Sequence, residues 1–209
     1  YGSDIVDPKL NSKSKKVRKY FASKQIKEEQ YYLVVGRFVP ENNYETIIRQ
    51  FMLSNSKRDL VIVTNFKGNK FFDKLKRETN FEKDKRIKFV GTVYDAELLK
   101  YIRKNAFAYI HGHSVGGTNP SLLEALGLTK LNLLYNVGFN NEVAGKSALY
   151  WSKMDNSLSK LINQVDDFND EKRNEFFEKG KEVVTKRYTW DSIINKYEKL
   201  FNDNVTSNN

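Results

Sequence analysis

From residue 31 onward the hydrophobic positions fall into short unbroken runs separated by longer amphipathic stretches. The runs at 31–35, 59–64, 87–90, 107–110 and 131–135, with 148–151 after them, are rich in Val, Ile, Leu and aromatic residues. They have strand length and no polar alternation, which predicts strands buried on both faces. Between them, 43–53 places Tyr44, Ile47, Ile48 and Phe51 at helical spacing, and 95–105 does the same with Leu98, Leu99 and Ile102. Helices are also predicted at 69–79, with Phe72, Leu75 and Thr79 inward, and at 120–128. Asp95 stands where an N-cap is wanted. Three more helices follow at 157–165, 170–187 and 190–201, the last with Trp190, Ile193, Ile194, Tyr197, Leu200 and Phe201 on one face. Ahead of all this, residues 1–4 read as loop, while Val17, Tyr20 and Phe21 form one face of a short helix. Residues 205–209 read as a polar tail. The division expected is a lead-in or interdomain segment at 1–30, a ligand-binding domain at 31–187, and a C-terminal helix with its tail at 188–209.

Strands that alternate with helices need right-handed crossovers and make a parallel sheet, so the fold class is doubly wound α/β. Ligands of such sheets bind outside the carboxyl ends of the strands. The loops to inspect are therefore 36–43, 64–68, 91–94, 111–119 and 136–145.

Composition narrows the classes. A chain of 209 residues can bury roughly 70% of its unfolded surface without staples. There is no cysteine, which excludes disulfides and thiolate metal sites. No apolar run approaches the ~20 residues of a membrane span, and the start of the chain shows no signal peptide. The chain begins without a methionine, which reads as a boundary cut from a longer polypeptide. The net charge of +10 fits either an anionic partner or a solvated lysine-rich surface. Most lysines are interleaved with acids; Lys13, Lys15, Lys16, Arg18 and Lys19 are gathered and mark a face for a membrane or a partner domain.

The chemistry concentrates after the fourth strand. His111-Gly112-His113-Ser114-Val115-Gly116-Gly117-Thr118-Asn119 runs into Pro120-Ser121-Leu122-Leu123-Glu124. Asn119 caps the helix and Pro120 suits its first position. Gly116 and Gly117 admit a ligand close to the backbone, and the free amides with the helix dipole favour an anion, so a phosphate is expected there. Glu124 is a carboxylate among apolar neighbours; it is either a surface glutamate or a ligand for ribose hydroxyls. Arg37 follows the first strand directly and can pair with a diphosphate. His111 and His113 are the only histidines, too few to make a metal site. Gly36-Arg37-Phe38-Val39-Pro40 stands where a G-x-G-x-x-G fingerprint would have to be, which argues against an NAD dehydrogenase.

Val35-Gly36-Arg37-Phe38, Pro40-Glu41-Asn42-Asn43, Ile87-Lys88-Phe89-Val90-Gly91 and Gly117-Thr118-Asn119-Pro120-Ser121-Leu122-Leu123-Glu124-Ala125-Leu126 together resemble the C-terminal domain of retaining GT-B glycosyltransferases of group 1. That family includes many bacterial capsule and lipopolysaccharide transferases, and the PENN and GGTNPSLLEA forms resemble its rhamnosyltransferase-like branch. The resemblance runs from residue 31 to the end, including Tyr188-Thr189-Trp190. It implies a Rossmann-like doubly wound sheet, the C-terminal half of a GT-B fold, that binds the nucleotide of an activated sugar. Glu124 then matches the glutamate that holds the ribose, and Arg37 the arginine that faces the diphosphate. Gly117, Thr118 and Asn119 offer amides to the phosphates and sugar, and Gly91, Thr92 and Val93 line the base. His113 binds a phosphate or a sugar hydroxyl.

Two positions depart from the family pattern. Its first motif glutamate falls on Gly116 and its lysine falls on Asn42. The donor site thus lacks one carboxylate and one cation, which fits a deoxysugar donor such as dTDP-rhamnose. The resemblance implies leaving-group stabilisation by Arg37 and backbone amides, with no cofactor and no metal. It also implies an acceptor half outside this chain, weak nucleotide binding with little turnover by the domain alone, and a cytoplasmic site of action at the inner membrane face. Three other readings are set against it. A nucleic-acid-binding domain lacks a recognition motif to support it, an epimerase would need an acid–base set that is not visible, and a non-catalytic nucleotide module is left open by the two departures.

Overall fold

A computed structural model describes residues 2–3 and 6–206; Tyr1, Asp4, Ile5 and 207–209 lie outside it. Six strands, β1 (Tyr31–Val35), β2 (Asp59–Val63), β3 (Ile87–Phe89), β4 (Ala108–His111), β5 (Asn132–Tyr135) and β6 (Leu149–Trp151), form one sheet in the order β3-β2-β1-β4-β5-β6. Every pairing is parallel. The helices are α1 (Lys15–Lys24), α2 (Tyr44–Met52), α3 (Lys70–Thr79), α4 (Ala96–Lys104), α5 (Pro120–Leu128), α6 (Gly138–Ala144), α7 (Ser157–Val165), α8 (Asp170–Arg187) and α9 (Trp190–Thr206). The doubly wound Rossmann-like expectation is met.

Period-two alternation divides each strand between two cores. Tyr32, Val34, Leu60, Ile62, Ala108 and Ile110 meet Ile47, Ile48 and Phe51 of α2, Leu75 of α3 and Leu158 and Ile162 of α7. Tyr31, Leu33, Val61, Val63 and Tyr109 face the other way, onto Val17 and Phe21 of α1, Leu98 and Ile102 of α4 and Ala125 of α5. Residues 1–30, expected as a lead-in, thus supply one helix of this second layer. A third cluster packs Leu122, Leu123 and Leu126 of α5 against Val143 of α6 and Val184 of α8. Gly180 makes that contact close, since a Cβ there would stand 2.9 Å from the Leu126 carbonyl oxygen.

Local signals explain the boundaries. Asn69, Asp95, Asn119 and Asn169 each accept a backbone N–H at a helix start. Two expectations change. The 136–145 loop contains α6, whose Gly138 and two asparagines are poor helix formers; packing of Val143 and Ala144 onto α8 overrides propensity. Of the polar tail expected at 205–209, Val205 and Thr206 belong to α9, and 207–209 lie outside the described residues. Trp190, Ile194, Tyr197 and Phe201 do share a face of α9, but that face is exposed; the side chain of Leu200 lies outside the described residues. Among the described residues no helix is long and apolar enough to cross a membrane.

Candidate functional site

The strand order reverses between β1 and β4, and there the sheet opens into a cleft of about 180 Å³. Gly36, Arg37, Asn42 and Tyr44 wall it on one side, and Tyr109, His111, Gly112, His113, Asn119 and Ser121 on the other. This is the switch point at which a doubly wound sheet binds its ligand. The walls are brought together by glycine and asparagine chemistry. Gly112 passes so close to the β1–α2 connection that a Cβ on it would stand 2.2 Å from the Asn42 carbonyl oxygen. Asn43 takes a left-handed conformation (φ 54°) and donates its side-chain amide to the Gly112 carbonyl at 2.7 Å. Ser114 donates from both its N–H and its hydroxyl to the Glu41 carbonyl.

Arg37 is exposed at the mouth of the cleft. Asn42 is held from two sides: its amide donates to the Arg37 carbonyl at 2.8 Å, and its oxygen lies 2.7 Å from His113 Nδ1. Because the Arg37 carbonyl only accepts, the Asn42 NH2 must face it, and the Asn42 oxygen then requires a proton on His113 Nδ1. The other nitrogen, Nε2, lies beside Gly116, 3.3 Å from where a Cβ there would stand. Burial, and then the Arg37 charge, hold the His113 imidazole below the ordinary histidine value. His111 is only 4% exposed, and burial pushes its imidazole down to about 3. Its Nδ1 lies 3.4 Å from the Tyr109 hydroxyl, while the buried Nε2 has no partner among the described residues.

The remaining expected residues divide between two further hollows and the loop. Gly116 (φ 118°) and Gly117 are exposed, and Thr118 is half-buried. Asn119 caps α5, its side chain accepting the Ser121 N–H at 2.9 Å. Gly91 and Thr92 line a hollow beyond β2 and β3 together with Lys24, Asn65, Lys67 and Tyr94, whereas the Val93 side chain is buried in the core.

Glu124 lies outside the Arg37 cleft. It lines a neighbouring hollow of about 380 Å³ with Ala96, Leu99, Lys100 and Arg103 of α4, and Trp190. Arg103 is 3% exposed at its side chain and reaches Glu124, itself 47% exposed, at 2.8 Å. The same guanidinium donates to Ser121 Oγ at 3.0 Å, and Ser121 Oγ lies 3.0 Å from the Tyr109 hydroxyl in the first cleft. A hydrogen-bonded chain therefore links the two hollows through the start of α5. Replacing Arg103 with methionine keeps the stem volume and leaves Glu124 free to hydrate, so the expected stability change is within about 1 kcal/mol. A urea titration checks it.

A family profile described as glycosyl transferases group 1 matches residues 16–183. The chain belongs to the group 1 glycosyl transferases. No curated protein matches it in sequence. Among solved structures it is similar to Anabaena HepE in complex with UDP and glucose, with a TM-score of 0.77 at 16% identity over 97% of this chain and 55% of that one. Sucrose-phosphate synthase from Thermosynechococcus elongatus gives a TM-score of 0.76 at 16% identity, over 99% of this chain and 52% of that one. The C-terminal domain of LpcC, a group 1 protein from Francisella tularensis, gives 0.67 at 15% identity, over 88% of this chain and 99% of that one. This group 1 chain spans about half the length of HepE and of the synthase. At these identities the likeness shows the shared fold.

Sequence reasoning did not find Arg103, Asn140 or a role for Ser121. Asn140, buried on α6, donates to the His113 and Tyr135 carbonyls and closes the back of the loop. A basic residue on an amphipathic helix carries no sign that it will be buried. The proximity of Ser121 to the α5 cap was the one available clue.

Proposed function

We propose that this group 1 glycosyl transferase chain is the donor half of the enzyme and binds a nucleotide-sugar across the start of α5. The observation that carries it is the switch-point cleft, where Arg37, His113 and Asn119 at the start of α5 line one opening. The diphosphate occupies that opening. The ribose lies against Glu124, which Arg103 holds in place, and the base extends toward Gly91 and Thr92. HepE, whose structure contains UDP, supports a nucleotide-sugar ligand by likeness of fold. The rhamnosyltransferase-like motifs and the missing carboxylate at Gly116 support a deoxysugar donor such as dTDP-rhamnose.

In the transfer, the bond between the anomeric carbon and the phosphate oxygen breaks and the nucleoside diphosphate leaves with the electron pair. Arg37 and the helix-start amides meet that developing charge in place, which is the preorganised form of catalysis. The acceptor hydroxyl's oxygen bonds to the anomeric carbon with retention, and its proton passes to the departing diphosphate oxygen. The acceptor belongs to surface polysaccharide synthesis and is held by an N-terminal half that packs on the exposed apolar face of α9. Such donors are made in the cytoplasm, and the basic face of α1 suits the inner surface of the membrane.

Calorimetric titration with UDP, dTDP and GDP tests the proposal. One of them is expected to bind, and Arg37→Ala is expected to weaken it about 10- to 100-fold, the value of one charge-assisted contact. Binding of none, or equal binding by the variant, overturns it. Arg103→Met should weaken the same nucleotide to the level of Glu124→Gln while leaving inorganic diphosphate unchanged; a loss for both ligands would mean that Arg103 acts on the whole site.

A further inference from the structure

We infer that His113, oriented by Asn42, takes the place of the family's lysine as a cation that forms only when a diphosphate arrives, so that nucleotide binding draws a proton from solution. The inference rests on the nucleotide reading above and deepens it. Its basis is geometric. Asn42 stands at the lysine position but cannot turn toward a ligand, since both ends of its amide are engaged, one with the Arg37 carbonyl and one with His113 Nδ1. The second contact places the imidazole proton on Nδ1. The nitrogen left beside the glycine loop, Nε2, then carries a lone pair in the neutral ring. A phosphate oxygen is also an acceptor, so the two repel until Nε2 takes up a proton. With both nitrogens protonated, His113 donates to Asn42 on one side and to the phosphate on the other.

The groups around the ring set the direction of the change. Partial burial opposes protonation, and the Arg37 charge after it, while Glu41 and the Val115 backbone favour it. His111 lies behind, with ring centroids 5.9 Å apart, and is neutral. From α6 the neighbours are the uncharged Phe139 ring, at 6.0 Å, and Asn140, which donates to the His113 carbonyl. In the empty site burial, and after it the positive Arg37, hold the imidazole below the ordinary histidine value. A diphosphate on Arg37 reverses the local sign and stabilises the imidazolium. This is a lysine-like contact whose strength depends on pH, as a lysine's would not near neutrality.

The test uses whichever of UDP, dTDP or GDP binds the chain, titrated between pH 7 and 8.5 in two buffers of unlike ionisation enthalpy. The dependence of the observed heat on the buffer counts protons. An uptake approaching one proton is expected, with affinity falling up to about tenfold per pH unit. His113→Gln, which keeps a donor but cannot titrate, should bind without uptake and with a flat pH profile. Asn42→Leu should also reduce the uptake, because an imidazole freed at Nδ1 can carry its single proton on Nε2. The matching nucleoside, without phosphates, should show none. Binding with no uptake by the unaltered chain, or the same uptake by His113→Gln, overturns the inference and leaves the nucleotide reading intact. Failure of every nucleotide to bind overturns both.

Discussion

Gly112→Ala is expected to destabilise the domain by roughly 3 kcal/mol, lowering the midpoint of thermal unfolding by about 10 °C. The added Cβ would stand 2.2 Å from the Asn42 carbonyl oxygen and its hydrogens would meet Ile47 Cδ1, which is 2.9 Å from the same point. A backbone oxygen cannot rotate away as a long side chain can. The relief has to come from moving the 40–43 turn off β4. That movement breaks the buried bond from Asn43 to the Gly112 carbonyl and the bonds from Ser114 to Glu41. It also separates Asn42 from His113, so nucleotide affinity should fall together with stability. Gly117→Ala is the contrasting variant. No atom lies within 4 Å of its Cβ position and its φ is not positive, so thermal unfolding should be unchanged even where ligand binding is lost. Equal stability of Gly112→Ala and the unaltered chain would show that the two loops do not pack as described.

His111 should give the protein an acid-sensitive limb. Its folded imidazole is held at about 3 by burial, against 6.5 in an open chain. Above pH 6.5 neither state is charged and the group contributes no pH dependence. Below that value the unfolded chain binds a proton that the folded one refuses, so stability falls as pH drops, by about 1.4 kcal/mol per unit, until the folded group titrates as well. By pH 4.5 the loss from this one residue reaches about 2.7 kcal/mol. Carboxylates add their own acid dependence, so the informative quantity is a difference. Urea unfolding of His111→Gln, compared with the unaltered chain from pH 8 to 4.5, should show a shallower slope by one proton's worth. Coincident slopes would mean that His111 accepts a proton within the fold.

How far these features could be read in advance depends on their range along the chain. Helices at 120–128, 157–165 and 170–187 agree with the structure to the residue; Asn119 and Asn169 mark two of the starts locally. The parallel sheet followed from strand length and alternation, both short-range properties. The α6 helix did not, because its formation depends on contacts with α8, which begins only at Asp170. Arg37, Asn42, His113 and Asn119 could be named as ligand-loop residues from their positions after strands, and the structure gathers them around one cleft. The bond between Asn42 and His113 spans 71 residues and leaves no pattern in either segment. Glu124 was recognised as unusual for its apolar company, yet the buried Arg103 behind it was not, since arginine on a helix ordinarily signals solvent. Glu124 and Arg37 line separate hollows, a spacing that no single loop encodes.

The chain of contacts from Tyr109 through Ser121 and Arg103 to Glu124 spans the gap between those hollows. On the proposed reading, an anion-gripping end and a hydroxyl-gripping end share this one strut and are held at a set separation. The domain would then act as a gauge of molecular length. A ligand whose charged group and sugar ring are joined by too short or too long a spacer can satisfy one end of the strut but not both.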